Sequence, residues 1–585
     1  MLPAKTHRFK TGKLSSIALI CFCVVFVPCV GETISTASEP TSQYIRAKSS
    51  PTDPKDVEAR QKFAAGNALR ATWTGVSLRE AIDHYEAATV LWTSISDFRN
   101  ASEATQKAGD IYFLLSEYAQ ALKQYETAEI FARKSGDWLA EARALSQMGR
   151  VQSYIGKNDL ARKQLDQSLA LFKRHEVNRS IDIRNAYGEA LSNLAEVSCA
   201  RGDFLNASKQ LDSALYVFQH DRKGEARVRL FKGYIAGTIG DTTAAVAEIE
   251  RALQLYREIN DKSGEGLALT SMGLWHSFHQ QKYSRAIELH NEALSIFRAI
   301  GDQHSEAVAL NAIGQGYEAL KESSNALAYF YSALRLFENT GALDATAGTT
   351  CGIASAKSLS GARDQALASY QRCLQLSRTA GNRRFQAFAL EGIARTYRAQ
   401  GRRQLALKQY QSLERLFQSV GDYRGQVMAL NSHGDFFLQL GENQKALDVF
   451  SQAFLLTEKM SDKGTLIATL YNLARANEAL GLHETALSLI RKSFNLIEEI
   501  RAKVESPDFR ASYFSAVRRH YDLYIKILMQ LHRLRPAEGF AAQAFSVSEQ
   551  GRARLLLDLL SESRSKTIPE GAAKELLERE RRLRG

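Results

Sequence analysis

Alanine recurs at a fixed step of 40 residues through the C-terminal half of this sequence. In most of these intervals a large side chain follows four residues later, and a small one three residues after that. Positions i, i+4 and i+7 lie on one face of an α-helix. The pattern therefore predicts one helix per interval, with a small–large–small face packed against a neighbour. The alanines are Ala286, Ala326, Ala366, Ala406, Ala446 and Ala486, followed by His290, Phe330, Tyr370, Tyr410, Phe450 and Ile490 and then by Ala293, Ala333, Cys373, Leu413, Ala453 and Ser493.

The same pattern extends backward at steps of 40, 40, 46, 38 and 41 residues, which gives eleven units in all. The uneven steps predict a longer connection near His175 to Ser180 and a shorter unit after it. No proline occurs between Lys55 and Ser506. Because a proline inside a helix costs about 3 kcal/mol, this block is predicted to be helical without interruption. The additional alanines are Ala81, Ala121, Ala161, Ala207 and Ala245.

Each unit also has an earlier helix, which in the seventh unit runs from Ser305 to Ala319. Glycines separate the two helices of a unit, and pairs such as Gly301-Asp302 separate successive units. Glycine can end a helix in the left-handed conformation, and aspartate can cap the next one. One such pair alone leaves an apolar face exposed, whereas stacked copies bury a continuous core. The packed series of the earlier helix is Gly314, Ala354, Ala394, Gly434 and Ala474, and the separating glycines are Gly361, Gly401, Gly441 and Gly481.

The seventh unit resembles the tetratricopeptide repeat in the order and spacing of its packing residues. The family's usual period is 34 residues, so this sequence is similar to a subclass with longer helices and a step of about 40. The resemblance covers residues 57–500. It implies an all-α fold, a right-handed superhelical solenoid of antiparallel helix pairs, whose first helices line a concave groove that binds proteins or peptides. The residues that carry it are Leu310, Ile313, Gly314, Tyr317, Ala326, Phe330 and Ala333.

The N-terminus has the pattern of an export signal. Lys5, Arg8, Lys10 and Lys13 precede an uncharged apolar run from Leu14 to Val30. Its length lies between that of a signal peptide and that of a membrane span. Residues 1–31 are therefore predicted to be either a cleaved signal or a membrane anchor, residues 32–56 a flexible linker, and the protein periplasmic, extracellular or anchored by residues 14–30.

The cysteines fit an exported protein. Three of the six lie in the apolar run and would leave with a cleaved signal. Cys199, Cys351 and Cys373 remain, without the spacing of a metal or redox site. Cys373 falls on the packed series, which favours a role in core packing. Cys351 lies on the neighbouring helix, so a disulfide between the two is compatible with export but not required.

After Arg501 the 40-residue pattern ends, and residues 501–585 are predicted to be a helical capping and junction region. Ala544-Phe545, Ser548-Glu549 and Arg552 to Leu560 resemble the junction that precedes a CHAT domain, a caspase-like protease fold. The resemblance implies an alternative function, in which this chain is the regulatory or sensor arm of a CHAT-type protease whose catalytic domain is missing from it.

No group of residues in the sequence indicates catalysis, so the chain is predicted not to be an enzyme and to need no cofactor. His276, His279 and His290 lie close together, but His276 and His290 occupy packing positions, so no metal site is predicted. Gly314-Gln315-Gly316 lies inside a helix and lacks the third glycine of a dinucleotide-binding loop. A cysteine nucleophile in a repeat core is disfavoured, because burial opposes thiolate formation.

The interpretation as an exported scaffold places the partner on the groove-facing residues of the first helices. A basic group near unit nine, Arg383, Arg384, Arg395, Arg398, Arg402 and Arg403, predicts either a solvated face or a site for an acidic peptide, since arginine binds carboxylates through paired hydrogen bonds. The net charge of +12 is compatible with an acidic partner. Nucleic acid is not expected, because acids are interleaved with the bases and the aromatics lie at packing positions. The predicted groove residues are Asn311, Gln315, Glu391, Arg395, Arg398, Asn431, Asp435, Tyr471 and Arg475.

Overall fold

The structure is a computed structural model that describes residues 53–550, apart from 176–179, 202, 220, 240, 280–281, 420–421, 459, 461 and 503–506. Every regular element in this part of the chain is helical. The predicted all-α array of antiparallel helix pairs is confirmed. The elements are α1 (Pro54–Arg70), α2 (Gly75–Ser94), α3 (Phe98–Leu114), α4 (Tyr118–Ser135), α5 (Trp138–Tyr154), α6 (Asn158–Arg174), α7 (Ile181–Ala200), α8 (Phe204–Val217), α9 (Arg222–Ile239), α10 (Thr242–Glu258), α11 (Lys262–His279), α12 (Tyr283–Ile300), α13 (Gln303–Ala319), α14 (Ser323–Thr340), α15 (Leu343–Leu359), α16 (Arg363–Thr379), α17 (Arg383–Ala399), α18 (Arg403–Gln418), α19 (Tyr423–Gln439), α20 (Asn443–Thr457), α21 (Lys463–Ala479), α22 (His483–Ala502), α23 (Pro507–Leu534) and a 3₁₀ turn η1 (Pro536–Glu538).

In chain order α1 to α22 form eleven repeats, each a first helix, a short turn and a second helix. The turns follow the predicted chemistry. Asp302 caps α13 by accepting the Ser305 N–H at 2.9 Å, and Gly301 before it has φ +73°. Gly361 and Gly401, between the helices of repeats 8 and 9, have φ +86° and +75°. Because only glycine takes this conformation without steric cost, these residues fix where the helices end.

The packed series predicted from the sequence forms the core. Ala326, Phe330 and Ala333 have no exposed surface. The Phe330 ring lies between two first helices: a methyl group on Gly314 would be 2.7 Å from it, and one on Gly352 would be 2.9 Å away. The absence of side chains at both glycines is what makes room for the ring. The small and large series are therefore the two halves of one packing arrangement.

Polar residues on the packed series find partners inside the repeat. Ser168 replaces the second small residue in repeat 3, and its hydroxyl donates to the Ala142 carbonyl at 2.7 Å. Tyr125 replaces phenylalanine in repeat 2, and its hydroxyl donates to Asp110 at 2.8 Å. Since a buried polar group without a partner costs about 1–3 kcal/mol, these contacts explain why the substitutions fit.

The array divides into two compact units. Unit 1 comprises Met1–Ile235, Val246–Phe278 and Lys282–Arg402, and unit 2 comprises Ala236–Ala245, His279–Gln281 and Arg403–Gly585. Within unit 1, α1 to α8 pack consecutively, as do α12 to α17; within unit 2, α18 to α23 do so. The domain bounds predicted from the sequence stay predictions. The first helix begins at Pro54, inside the stretch predicted as linker, with Asp53 as its cap.

Unit 1 contains a contact between early and late repeats, which we call the seam. The Asp344 N–H at the start of α15 donates to Ser116 Oγ at 3.2 Å. One repeat further along on both sides, Arg383 Nη1 donates to the Ile155 carbonyl at 2.9 Å. Each bond joins residues 228 positions apart, so the turns of repeats 2 and 3 meet those before repeats 8 and 9 in one register.

In unit 2, α23 covers the end of the last repeat. Ile527 and Leu528 are fully buried and belong to one apolar cluster with Ile490 and Ile497 of α22. The chain continues as helix over residues 540–550. Among the described residues no helix is both long and apolar enough to cross a membrane. The predicted signal or anchor at residues 1–31 lies outside the described part.

The two core cysteines of repeat 8 are joined. Cys351 on α15 and Cys373 on α16 form a disulfide with a Cα–Cα distance of 5.3 Å, and both are fully buried. That separation lies in the ordinary range for disulfides. Cys373 thus packs in the core as predicted and also forms the bond that the sequence left open. Cys199 has a free thiol.

Candidate functional site

The predicted groove residues of unit 1 are mostly half-buried, and Asn311 is engaged with the neighbouring repeat. Asn311 is buried and accepts a hydrogen bond from Thr349 Oγ1 of the next first helix at 3.1 Å. Gln315 is half-buried. Glu391 and Arg395 lie one helical turn apart with their charged groups at 3.8 Å, a loose pair. Arg398 is half-buried on the same helix.

The basic group of repeat 9 does not form one binding patch. Arg383 is committed to the seam through the Ile155 carbonyl. Arg384 lies close enough to Asp344 to lower the pKa of that buried carboxyl against the larger effect of burial. Arg402 and Arg403 are exposed. For an acidic peptide in unit 1, Arg395 and Arg398 are therefore the arginines on the first-helix face.

In unit 2 four predicted residues come together in a network. Asn431 Nδ2 donates to Thr469 Oγ1 at 3.0 Å, and Asn431 Oδ1 accepts from Asn472 at 3.1 Å. Arg475 forms an ion pair with Asp435 at 2.9 Å, with both side chains about one-third exposed. These bonds run between the first helices of repeats 10 and 11. The side chains thus hold the repeats in register as well as facing solvent.

Tyr471 is the aromatic centre of this network. The Arg475 guanidinium lies 5.7 Å from its ring centroid, and that of the exposed Arg519 on α23 lies 4.9 Å from it. The centroid of the His520 ring lies 4.5 Å from that of Tyr471. Burial raises the pKa of the Tyr471 hydroxyl, and the two arginines act in the opposite sense. We call Asn431, Asp435, Tyr471, Arg475 and Arg519 the Tyr471 site.

A further series of first-helix charges was missed by the sequence reasoning. The residue directly after the packed small residue is Asp110, Arg150 and Glu196 in repeats 2 to 4, and its sign alternates. In repeats 9 to 11 the same position holds Arg395, Asp435 and Arg475, again with alternating sign. All six charged residues are found in the sequence by taking the residue that follows each packed small residue of a first helix. The pattern could therefore have been recognised without the structure.

These charges act on one another between repeats. Burial lowers the pKa of the Arg150 guanidinium, but the Tyr154 hydroxyl, Glu196 and Asp110 together raise it on balance. Burial disfavours the charged form of Glu196 too and so raises the pKa of its carboxyl, whereas the positive charge of Arg150 acts to lower it. Charges of opposite sign on neighbouring first helices therefore partly offset the cost of burying one another.

No metal centre is formed by the residues described. Nowhere in that part of the chain do three or more His, Cys, Asp or Glu side chains gather in a way that could hold an ion. His290 is buried at the packed position, and neither of its ring nitrogens has a hydrogen-bond partner. The His276 ring packs on Trp275 with centroids 5.0 Å apart. The side chain of His279 lies outside the described residues.

Three solved structures share helical architecture with the chain at low similarity. The STAND protein with a tetratricopeptide repeat sensor from Pyrococcus horikoshii is 17% identical over 57% of this chain and 52% of its own, with a TM-score of 0.37. The Rap protein complexed with competence and sporulation factor is 12% identical over 61% and 98%, with a TM-score of 0.41. Yeast Tom70 is 16% identical over 90% and 100%, with a TM-score of 0.40. Similarities this low carry no conclusion about ligands.

Family models match three segments of the sequence. One model of the tetratricopeptide repeat matches residues 102–174 and 265–339, and a second matches residues 226–259. No curated protein matches the chain in sequence. The matched segments fall on helix pairs of the array, and the structure shows that the same packed series continues on both sides of them. The chain therefore contains tetratricopeptide repeats, set within a longer array of helix pairs built to the same plan.

Proposed function

We propose that this protein is an exported scaffold that binds a protein or peptide partner on the first-helix faces of its repeats. Tetratricopeptide repeats are protein-interaction modules, which supports the general role. The observation that carries the specific proposal is the Tyr471 site. A half-buried aromatic ring beside the exposed guanidinium group of Arg519 offers apolar contact and charge to a peptide. Catalysis is not part of the proposed role.

An acidic partner is proposed on the basis of the arginines. Arg475 is already paired with Asp435, whereas Arg519 is exposed above Tyr471. In unit 1, Arg395 lies half-buried on the first-helix face, with the Glu391 carboxylate 3.8 Å from its guanidinium group. A carboxylate that replaces water at such a guanidinium gains a charge-assisted bond. Each unit thus offers its own contact to acidic side chains.

Binding of an acidic peptide to variants of the full chain tests this proposal. The probe is a fluorescent Asp/Glu-rich peptide selected on the wild-type protein from a random library. We expect Tyr471→Ala to weaken the binding of a peptide that binds unit 2, and Arg395→Glu/Arg398→Glu to weaken that of one that binds unit 1, each by about tenfold or more. The double charge reversal should leave the melting temperature nearly unchanged, whereas Tyr471→Ala should lower it, because the ring packs against the core of unit 2. The matched control is Tyr331→Ala on the second helix α14. Binding that survives both first-helix variants, or falls equally with the control, contradicts the proposal.

Export is supported by the disulfide as well as by the N-terminal pattern. Disulfides persist in oxidising compartments and are rare in reducing ones. The Cys351–Cys373 bond closes a loop of 22 residues in sequence. In an exported protein the bond stabilises the fold, chiefly by restricting the unfolded chain, by about 3 kcal/mol.

The presence of this disulfide can be tested by mass and by its effect on stability. Protein recovered from the extracytoplasmic fraction should have a mass two hydrogens below that of the reduced chain, and reduction should lower its free energy of unfolding by about 3 kcal/mol. The variant Cys199→Ser should behave as wild type in both measurements, because Cys199 has a free thiol. A protein that stays fully reduced in the extracytoplasmic fraction would refute the assignment.

The alternative, a regulatory arm of a CHAT-type protease, depends on the resemblance of residues 544–560. Residues 540–550 are helical, and Ala544 and Val547 pack in the cluster that closes unit 2. Residues 551–585 lie outside the described part. The capping role of the described residues suffices for the scaffold, so the alternative gains no support over it.

A further inference from the structure

The seam of unit 1 satisfies two helix ends that their own repeats leave open. The first N–H groups and last C=O groups of any helix lack partners within it. At most first helices the side chain of an Asp or Asn cap residue accepts a hydrogen bond from one of these N–H groups, as Asp302 does for α13. The cap position of α15 holds Ala342, which makes no side-chain hydrogen bond. Ser116, from repeat 2, supplies the missing acceptor to the Asp344 N–H.

The second seam bond does the same at a helix C-terminus. Ile155 is the C-cap residue of α5. Its carbonyl accepts a hydrogen bond from the Arg383 side chain at the start of α17. The adjoining Gly156 has φ +81°, and a methyl group there would lie 2.9 Å from the Arg383 guanidinium. Glycine suits this position chiefly because of its positive φ, since the arginine end group could move aside.

Ser116 is the turn residue of repeat 2 that makes the seam contact. Its φ is +63°, in the left-handed region, and it is buried. The corresponding turn residue is glycine at Gly156, Gly361 and Gly401, where no side chain resists that conformation. A non-glycine residue there costs about 1–2 kcal/mol. Lys321 takes the same conformation in repeat 7, with φ +65°, so what distinguishes Ser116 is its hydroxyl, which caps a helix 228 residues away.

Asp344 places an ionisable group in the middle of this contact. It is buried, and its carboxylate accepts the Asn382 amide at 2.7 Å. Arg384 is the cation that acts on it. Of the other charges nearby, Arg383 binds the Ile155 carbonyl, and Glu117 beside Ser116 is paired with Arg79 at 2.6 Å. On α13 His304 occupies the same helix position one repeat earlier, and on α14 Glu338 is exposed.

We propose that the seam is a latch controlled by the ionisation of Asp344, more firmly closed when its carboxyl is protonated and more readily opened when it is charged. The closed latch fixes the spacing between the early and late first-helix faces of unit 1. Opening it would let that spacing change to suit a partner. This last consequence rests on the proposed function, whereas the latch itself does not.

The direction of the pH effect follows from burial. Removal from water raises the pKa of Asp344 to about 6, against an ordinary value of 3.8, although Asn382 and Arg384 favour the charged form. A carboxyl with a higher pKa in the closed state than in the open state binds its proton more tightly when closed. This contribution is complete below the open-state value and is lost as the pH rises through 6. Lowering the pH from 7.5 to 5 should therefore favour closure about tenfold.

Hydrogen exchange at residues 343–347 of the full chain, without any partner, tests the latch. After correction for intrinsic rates, protection should be about tenfold higher at pH 5 than at pH 7.5 in the wild type. Asp344→Asn should be protected at both values, because it cannot ionise and still accepts from Asn382. Ser116→Gly should lose about fivefold in protection at either pH, without a lower melting temperature, because glycine suits the left-handed turn.

Asp364→Asn is the matched control. Asp364 also follows an alanine cap by two residues, on α16, and accepts a distant amide, from Gln400 at 2.8 Å, but it is exposed and outside the seam. This variant should keep the wild-type pH dependence at residues 343–347. The proposal is overturned if that dependence is absent from the wild type, if it persists in Asp344→Asn, as it would if His304 caused it, or if Ser116→Gly leaves protection unchanged. None of these outcomes bears on partner binding.

Discussion

Replacing Phe330 by alanine should lower the free energy of unfolding by about 3–5 kcal/mol. The ring is fully buried between Gly314 and Gly352. When a core side chain is truncated, part of the cost depends on whether neighbours can move into the cavity. Here the two residues that face the ring have no side chains to move, so the cavity should stay open. Chemical denaturation of the full chain would measure the loss.

The adjacent aromatic residue supplies the control. Tyr331 is 47% exposed on the outer side of the same helix, with Lys357 about 5.9 Å from its ring. Tyr331→Ala should cost less than about 1 kcal/mol, since exposed substitutions usually fall in that range. Equal losses for the two variants would mean that the helix face assigned to the core is wrong, although the helix itself could still be correct.

The fold could be predicted because one packing arrangement is used eleven times. Ala326 and Phe330 matter through contacts within one repeat and with the next, so a fixed step in sequence reproduces a fixed contact in space. Turn residues such as Gly361 and Asp302 add local chemistry that sequence reveals directly. The seam obeys neither rule. Ser116 and Asp344 are 228 residues apart, and no fixed step in the sequence brings them together.

The candidate site could be predicted only in part. Asn431, Asp435, Tyr471 and Arg475 lie on first helices, because position within a repeat decides that; that they bind a partner stays a prediction. Which side chains would already be engaged was not predictable, since Arg383 binds a carbonyl across the seam and Asp435 pairs with Arg475. The role of Arg519 required the packing of α23 on the last repeat. Pairing depends on distances between helices, and a single sequence does not encode these by spacing alone.

One packed position carries an unfavourable residue. In repeat 6 the place of Phe330 is taken by His290, which is 1% exposed and lacks a hydrogen-bond partner at both ring nitrogens. A neutral imidazole has one donor and one acceptor to satisfy. Burial lowers the pKa of His290 to about 3 from an ordinary 6.5. The ring is therefore held neutral in the core at the expense of stability.

Replacing His290 by phenylalanine should stabilise the protein by about 1–3 kcal/mol at pH 7.5, because it removes two unsatisfied buried groups. A phenyl ring fits: a methyl group on Gly273 would lie 2.5 Å from the His290 ring, and one on Gly434 would lie 2.4 Å from Phe450, at the same place in repeat 10. Below pH 6.5 the unfolded chain protonates its histidine while the folded chain does not, so stability falls with pH down to about 3. At pH 5 this adds about 2 kcal/mol to the advantage of the variant.

Urea denaturation at pH 7.5 and pH 5, with hydrogen exchange of residues 283–300 to localise the effect, would measure both parts of this difference. The reciprocal variant Phe330→His places the same ring in the next repeat, between Gly314 and Gly352. It should lose stability at pH 7.5 and lose more at pH 5, because it introduces the liability that His290→Phe removes. If His290→Phe is destabilising at both values, or if the two variants share one pH dependence, an unseen partner must satisfy the imidazole, and position 290 is then a polar site rather than a packing position.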